Sequence, residues 1–500
     1  MKIISLNDNR LTEWNAAWTT ENDGEMPSFE DTLKNRLENI NEKSIMDLAS
    51  HAENNDKFVV FPSKSAKSEL NKKDNFIFKL TNRTKENPSF QTGNIMGFIG
   101  LGDDVQMQIT SRFDEIKNED GVGKNFFLHY MLQKVCNVAF VPKTGSAEEQ
   151  IFDFLYYLFP GYLKAACKQG IYRAYVTREY NDSNVRGPID VARHIRCNMP
   201  FNGKIAYHTR EYTTDNKITQ LVRHTIEYIR TLKYGGAVLG TNDDVRDDVN
   251  DIVAATPTYS KNLKMQVISQ NLHPVTHPYY TAYEPLRKLC LAILLHKKLS
   301  YGKSDNQPIT GILFDGASLW EEYLAKVFEK HKLGLIHSNN RENQKGIKIF
   351  KGGHDYYPDF YREKTSENAE DALVFDAKYK QLCTIDGEIS DESSDDSSVK
   401  KNGVSFHYKR EDLFQMLSYM HCLKAQKAVL ISPYKDKERK GVIQTPDSPK
   451  EALGYGGKIS IIAVPIPAYD SDTEWEKFKK EMENVEENLY KVCCKMVARS

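Results

Sequence analysis

Five hundred residues exceed what a single core can use, so two to four domains are expected. With 40% hydrophobic and 27% charged residues, global disorder is excluded; 68 basic against 69 acidic residues exclude an overall basic field. Contact with nucleic acid therefore has to come from local patches or from a partner. The eight cysteines contain no C-x-x-C pair, which argues against a zinc site or a disulfide framework. No signal-peptide core and no run of about 18 apolar residues occurs, so a cytoplasmic protein away from membranes is expected.

Residues 1–124 are polar and turn-rich, with short strand-like runs at "KFVVF" and "NFIFKL". They end in "GNIMGFIGLGDDVQMQITSRFD", where two β-rich runs flank Gly102-Asp103-Asp104, a hairpin signal. Val105, Met107 and Ile109 alternate with Gln106, Gln108 and Thr110, as in a half-buried strand. A β-rich N-terminal domain follows.

Residues 125–300 change to helical periodicity, in "NFFLHYMLQKVCNVAF", "EEQIFDFLYYLFPGYLKAACKQG" and "ITQLVRHTIEYIRTL", giving a mainly helical middle region. Between these helices lies "NVRGPIDVARHIRCN", which carries Arg186, Arg193, His194 and Arg196. A solvated basic face explains such a cluster. The second reading is a phosphate-contacting patch, with Arg186, Arg193 and Arg196 as DNA-binding residues, since that needs only local positive charge.

Residues 301–500 alternate helix and strand signals and are read as an α/β domain, making the whole an α/β multidomain chain. After a turn at Asp315-Gly316, "ASLWEEYLAKVFEKHKLG" presents Trp320, Tyr323, Leu324, Val327 and Phe328 as an apolar stripe, with Gly334 as a stop. Strands are expected at "GIKIF", "YYPDFY" and "ALVFDAKYK". The acidic stretch 386–403 is read as a disordered loop. The helix "REDLFQMLSYMHCLKAQ", the strands "KAVLISPY" and "KISIIAVPI", and a charged helix from about residue 472 complete the domain.

Within that frame, Asp359, Asp376 and Lys378 suit phosphodiester hydrolysis. Two carboxylates on neighbouring strands can hold a metal ion, and a lysine can meet the phosphate or the water. Alternation places 376 and 378 on one strand face, and 17 residues separate the aspartates (376 − 359), enough for a hairpin to bring them together. Ala372 to Phe375 form the apolar run of a strand buried on both faces, where a terminal charge is costly unless it has a purpose. Lys380 shares the face of Lys378 and is a substitute or a phosphate contact. Ser318-x-x-Glu321 reads as a capping box, with Glu321 bonding back to the N-cap amide.

Pro358-Asp359 with Asp376-Ala377-Lys378 resembles the PD-(D/E)xK nuclease superfamily, and Gln415 with Tyr419 resembles the "QxxxY" element of its RecB-like members. Over most of its length the chain is similar to the McrC-type nuclease subunits of McrBC and LlaJI-type restriction systems. "GFIGLGDDVQMQITSRFD", "NVRGPIDVARHIRCN", "REYTTDNKITQLVRHTIEYI", "LWEEYLAKVF", "YYPDFY", "VFDAKYK" and "QMLSY" occur in the family's order.

The resemblance implies a C-terminal restriction-endonuclease-like domain with Asp359 and Asp376 as metal ligands, and a Glu on the domain's first helix, here Glu321 or Glu322, as a further one. Lys378 and Gln415 complete that catalytic set, and the ion is Mg2+, with Mn2+ as an alternative. It also implies a McrB-like AAA+ GTPase hexamer as partner, docked by the N-terminal domain, with double-stranded DNA as substrate. Arg112 of "TSRFD" is the candidate for stimulating that partner. The chain has no G-x-x-x-x-G-K-[ST] motif, so it is not expected to bind nucleotide itself. The alternatives are a non-catalytic assembly factor for an AAA+ ring and a RecB-like repair nuclease.

Overall fold

In the computed structural model the described residues are 2–20, 37–38, 40–43, 58–61, 76–82, 88–100, 105–114, 125–136, 147–232, 235–240, 243–299, 311–338, 346–352, 355–363, 372–385, 397–401, 403–438, 440–454, 456–469 and 474–497. The chain divides into two units, one of residues 1–135 with 311–500 and one of residues 136–310. The sequence reading places boundaries at 124 and 300 and treats the first and last regions as separate domains; here those regions share one unit.

The first stretch of that unit runs β1 (Lys2–Asn7), β2 (Leu11–Glu13), α1 (Trp14–Ala17), β3 (Trp18–Thr20), β4 (Phe58–Phe61), β5 (Phe78–Thr81), β6 (Ser89–Thr92), β7 (Ile95–Gly100), β8 (Val105–Thr110) and α2 (Phe126–Cys136). β7 and β8 pair antiparallel, Gly97 with Ile109 and Gly100 with Gln106, while the Gly102-Asp103-Asp104 turn lies outside the described residues. They belong to a six-stranded sheet ordered β3-β1-β8-β7-β11-β4, in which β11 (Gly311–Asp315) arrives from beyond the second unit. Met107 and Ile109 pack with Ile4, Leu6, Phe90 and Leu313. Gln108 and Thr110 are buried as well, so β8 is covered on both faces, which its polar alternation does not suggest.

The last stretch runs α10 (Gly316–Lys330), β12 (Ile336–His337), β13 (Ile347–Lys348), β14 (Asp355–Tyr356), β15 (Phe360–Arg362), β16 (Leu373–Ala377), β17 (Cys383–Ile385), β18 (Ser397–Lys401), β19 (Val404–Tyr408), α11 (Arg410–Leu423), β20 (Lys427–Asp436), β21 (Lys450–Glu451), β22 (Lys458–Pro467) and α12 (Trp475–Val497). Its main sheet is ordered β12-β15-β16-β20-β22-β21, with β16, β20 and β22 mutually parallel. Parallel strands need cover on both faces. β20 and β22 are accordingly buried almost end to end.

The stripe of α10, Trp320, Tyr323, Leu324, Val327 and Phe328, is buried as its spacing predicts, each side chain contributing about 1.5–3 kcal/mol. What precedes it is not a turn: Asp315 ends β11 and caps the helix directly, accepting from the amides of Ala317 and Ser318. On α12, buried Glu486 accepts from the hydroxyls of Tyr130 and Tyr323 and from the Lys134 ammonium, tying α2, α10 and α12 together.

Of the acidic stretch 386–403, residues 386–396 lie outside the described residues, but 397–401 form β18 and pair with β19. Only Asn402-Gly403 separates the paired Lys401 and Val404, and Gly403 sits at φ +81°. Asn-Gly is a two-residue hairpin signal, so the loop reading ran too far.

In the second unit are α3 (Ala147–Cys167), β9 (Ala174–Asp182), α4 (Val191–Asn198), β10 (Ile205–Thr213), α5 (Lys217–Arg230), α6 (Gly235–Leu239), α7 (Asp243–Ala255), α8 (Lys264–Gln270) and α9 (Tyr283–Leu299). Asn216 caps α5 and Thr219 reciprocates. The helical reading misses the β9–β10 hairpin, paired from Ala174 with Thr213 to Asp182 with Ile205. No residue of β9 is fully buried, so it has no apolar alternation to detect. Among the described residues, no helix is long and apolar enough to cross a membrane.

Candidate active site

Strand β16 delivers the centre of the site. Its residues Leu373, Val374 and Phe375 are buried hydrophobics between two neighbours, β15 antiparallel and β20 parallel. Asp376 follows at 1% exposure, beside Leu430 of β20. The β15 register pairs Phe360 with Phe375, so the next step along brings Asp359 opposite Asp376. An Asp359 carboxylate oxygen accepts from the Ala377 amide at 2.7 Å, fixing that approach. The hairpin inferred from the 17-residue separation is the β15–β16 pair.

Lys378 lies just past β16, where its amide donates to the Ile431 carbonyl at 2.8 Å. Its ammonium is 2.6 Å from Asp376 Oδ2 and 3.0 Å from Gln415 Oε1, with Asp412 Oδ1 at 3.7 Å. Gln415, on α11, also directs Nε2 to Asp376 Oδ1 at 3.4 Å and to the Tyr419 hydroxyl at 3.2 Å. Both members of the "QxxxY" pair thus reach the same cluster, one helical turn apart. Lys380 is 2.6 Å from Asp412 Oδ2.

Glu321 comes from α10, and the structure separates its two readings. Asp315 supplies the cap, and the Ser318 hydroxyl bonds back to Asp315 Oδ2 at 2.7 Å. Glu321 instead lies with Oε1 2.9 Å from His337 Nε2. The His337 ring stacks on Phe360, the residue after Asp359, at 4.8 Å. Burial pushes His337 below the ordinary imidazole range, and its ring bridges α10 to β15.

The electrostatics follow from crowding. Burial, then Asp376, then Glu321 raise the Asp359 carboxyl well above the ordinary range, against the opposing pull of Lys378. For Lys378, burial alone would lower the ammonium, but Asp376, Asp412 and Asp359 outweigh it and hold the group charged. The donor set is therefore hard oxygen with excess negative charge around Asp359, which suits a divalent cation such as Mg2+. Among the described residues no three acidic, His or Cys side chains converge closely enough to enclose an ion, and Asp376 is engaged by Lys378.

Sequence reasoning missed Asp412, His337 and Tyr379. Asp412 stands three residues before Gln415 and so on the same helix face, a spacing that could have found it. The other two are placed by tertiary contacts that leave no local pattern.

The remaining candidates lie elsewhere. Arg112 turns inward within its own unit: its guanidinium donates to the Tyr379 carbonyl and lies 5.2 Å from that ring's centroid. In the other unit, Arg193 is bound to Glu179 at 2.9 Å and to the carbonyls of Tyr180 and Tyr207, holding α4 on the hairpin. Arg186 bonds the Tyr207 hydroxyl at 3.2 Å and lies over the Tyr180 ring, and both it and Arg196 are exposed.

The family model described as McrBC 5-methylcytosine restriction system component matches residues 90–433. Among solved structures, the chain is similar to one described as a refined half-complex from a tetradecameric assembly of Thermococcus gammatolerans McrB AAA+ hexamers with bound McrC. Identity is 14%, with 98% of this chain and 100% of that chain covered and a TM-score of 0.43. A cryo-EM structure of the Thermococcus gammatolerans McrBC complex is similar at 14% identity over 66% of this chain and 88% of that one, with a TM-score of 0.28. No curated protein matches the chain.

Proposed function

Because the chain belongs to the McrBC 5-methylcytosine restriction system component family, we propose that it is the system's nuclease subunit, hydrolysing DNA phosphodiester bonds at Asp359, Asp376 and Lys378. The observation that carries this reading is a buried aspartate facing a second one across adjacent strands, with a lysine ammonium 2.6 Å away. Charge of this density inside a protein is costly unless it serves a purpose.

Asp359 and Asp376 would hold the metal, with Glu321, which does not converge with them closely enough here to enclose an ion, as the further ligand the family resemblance implies. The chemistry a bound divalent cation, Mg2+ or Mn2+, would supply there is polarisation of the phosphate and a lowered pKa for an attacking water. Lys378 stays charged and supplies a positive group beside the phosphate oxygens as they gain negative charge. Gln415 orients both Lys378 and Asp376 through its two amide ends. His337 fixes Glu321, and Lys380, anchored by Asp412, offers a contact for the DNA backbone.

The motor is another polypeptide. This chain carries no P-loop motif and its charges nearly cancel, which supports a division of labour with a McrB-like AAA+ GTPase hexamer that engages double-stranded DNA. The test is cleavage of plasmid DNA, methylated and unmethylated at cytosine, by the chain mixed with that partner, GTP and Mg2+. Cleavage that needs all three and stops with EDTA is expected; EDTA-insensitive cleavage, or none with the partner present, contradicts the proposal.

A further inference from the structure

We propose that Tyr379 is a positioning residue for Lys378, clamped to the N-terminal sheet by Arg112 and Ser111, so that this sheet is part of the nuclease machinery. The inference rests on the nuclease reading of Lys378.

Tyr379 stands between Lys378 and Lys380 and faces the other way. The two lysines reach Asp376, Gln415 and Asp412. The Tyr379 side chain, 4% exposed, enters the end of the six-stranded sheet, where its hydroxyl is 2.8 Å from Ser111 Oγ and 3.6 Å from Met96 Sδ. Its ring meets Phe113 edge-on at 5.3 Å, and the Arg112 guanidinium lies over it while bonding its carbonyl. Arg112 is held in turn, its amide donating to an Asp8 carboxylate on the turn after β1.

Room for the ring comes from α10. A β-carbon on Gly316 would stand 2.7 Å from Tyr379 Cε1, and Gly316 opens the helix that carries Glu321. One side chain thus touches the end of β8 and the start of the Glu321 helix, and its own backbone flanks Lys378. A shift at the end of β8 moves the Tyr379 backbone, and with it the ammonium beside Asp376. A displacement of about 1 Å at such a group lowers turnover by up to about a hundredfold. Arg112 would therefore act within the chain, through Tyr379.

The experiment compares wild type, Arg112→Ala, Arg112→Lys and the milder Ser111→Ala in the full chain with its AAA+ partner, Mg2+ and GTP. Thermal melting is recorded alongside. Arg112→Ala should lower kcat for DNA cleavage roughly ten- to a hundredfold with KM for DNA unchanged, and Arg112→Lys should recover part of it. Hydrogen–deuterium exchange should accelerate in the peptide spanning Asp376 to Leu382. If Arg112→Ala does not fold, Ser111→Ala must show the same two changes at smaller size. Wild-type kcat with unaltered exchange in a folded variant overturns the proposal, and so does a loss confined to KM. Absence of cleavage by wild type overturns the nuclease reading and the catalytic half of this one, while the exchange result still decides whether the joint exists.

Discussion

Lys378→Ala removes the cation beside buried Asp376, so its effect on stability should depend on divalent metal. An unpaired buried charge costs about 3–5 kcal/mol. In EDTA the variant should melt well below wild type, and Mn2+ should restore more to it than to wild type, because a metal can replace the lost ammonium at the same carboxylate. Equal metal-induced shifts in the two proteins would argue against Asp376 as a ligand. Asp8 and Asp114 give a separate test, since burial raises both carboxyls to about 6 from 3.8. The folded state then binds protons more tightly than the unfolded chain between those values. Their contribution to stability is greatest below about pH 4, and each loses roughly 3 kcal/mol as pH rises to about 6. Asp114→Asn should flatten that part of the melting profile, with Asp8→Asn as its counterpart. At this scale Asp359, Asp376, Lys378 and Gln415 are legible because each sits in a short motif, Pro-Asp, Asp-x-Lys or Gln-x-x-x-Tyr, whereas His337 and Tyr379 sit in none and are given their roles by residues 16 and 268 positions away.

Two demands meet in the first turn of α10, which must both cap and make room. Asp315 satisfies two of its free amides, and Gly316 leaves space for Tyr379 next to the Asn94 carbonyl. Asp315→Ala should cost about 1 kcal/mol, up to about 2, and Gly316→Ala about 1–3 kcal/mol by overpacking. Denaturant titration measures both, and a neutral Gly316→Ala would mean the joint is slack. The Ser318-x-x-Glu321 capping signal misled because a better cap stood three residues earlier, on the last residue of a strand. Strands such as β16 and β22 were legible from continuous apolar runs. The β9–β10 pair was not, since β9 has no fully buried residue and β10 buries only the adjacent Ala206 and Tyr207, which form no alternating apolar pattern.

In the whole molecule, residues 1–135 and 311–500 share one unit, joined where β11 pairs with β7 and β4 and where Glu486 meets Tyr130. No local pattern announces a strand returning to a sheet some 200 residues behind it, so residues 1–124 and 301–500 read as two domains although they share one unit. A fragment of residues 316–500 should therefore lack a cooperative melt and digest readily, and adding residues 1–135 should not be replaceable by adding 136–310. An independently stable 316–500 fragment would refute this shared unit. If the buried carboxylates carry the chemistry, Asp376→Ala in complex with the AAA+ partner should lose DNA cleavage while partner binding and GTP hydrolysis are retained. Cleavage by this variant at the wild-type rate would contradict a catalytic role for Asp376.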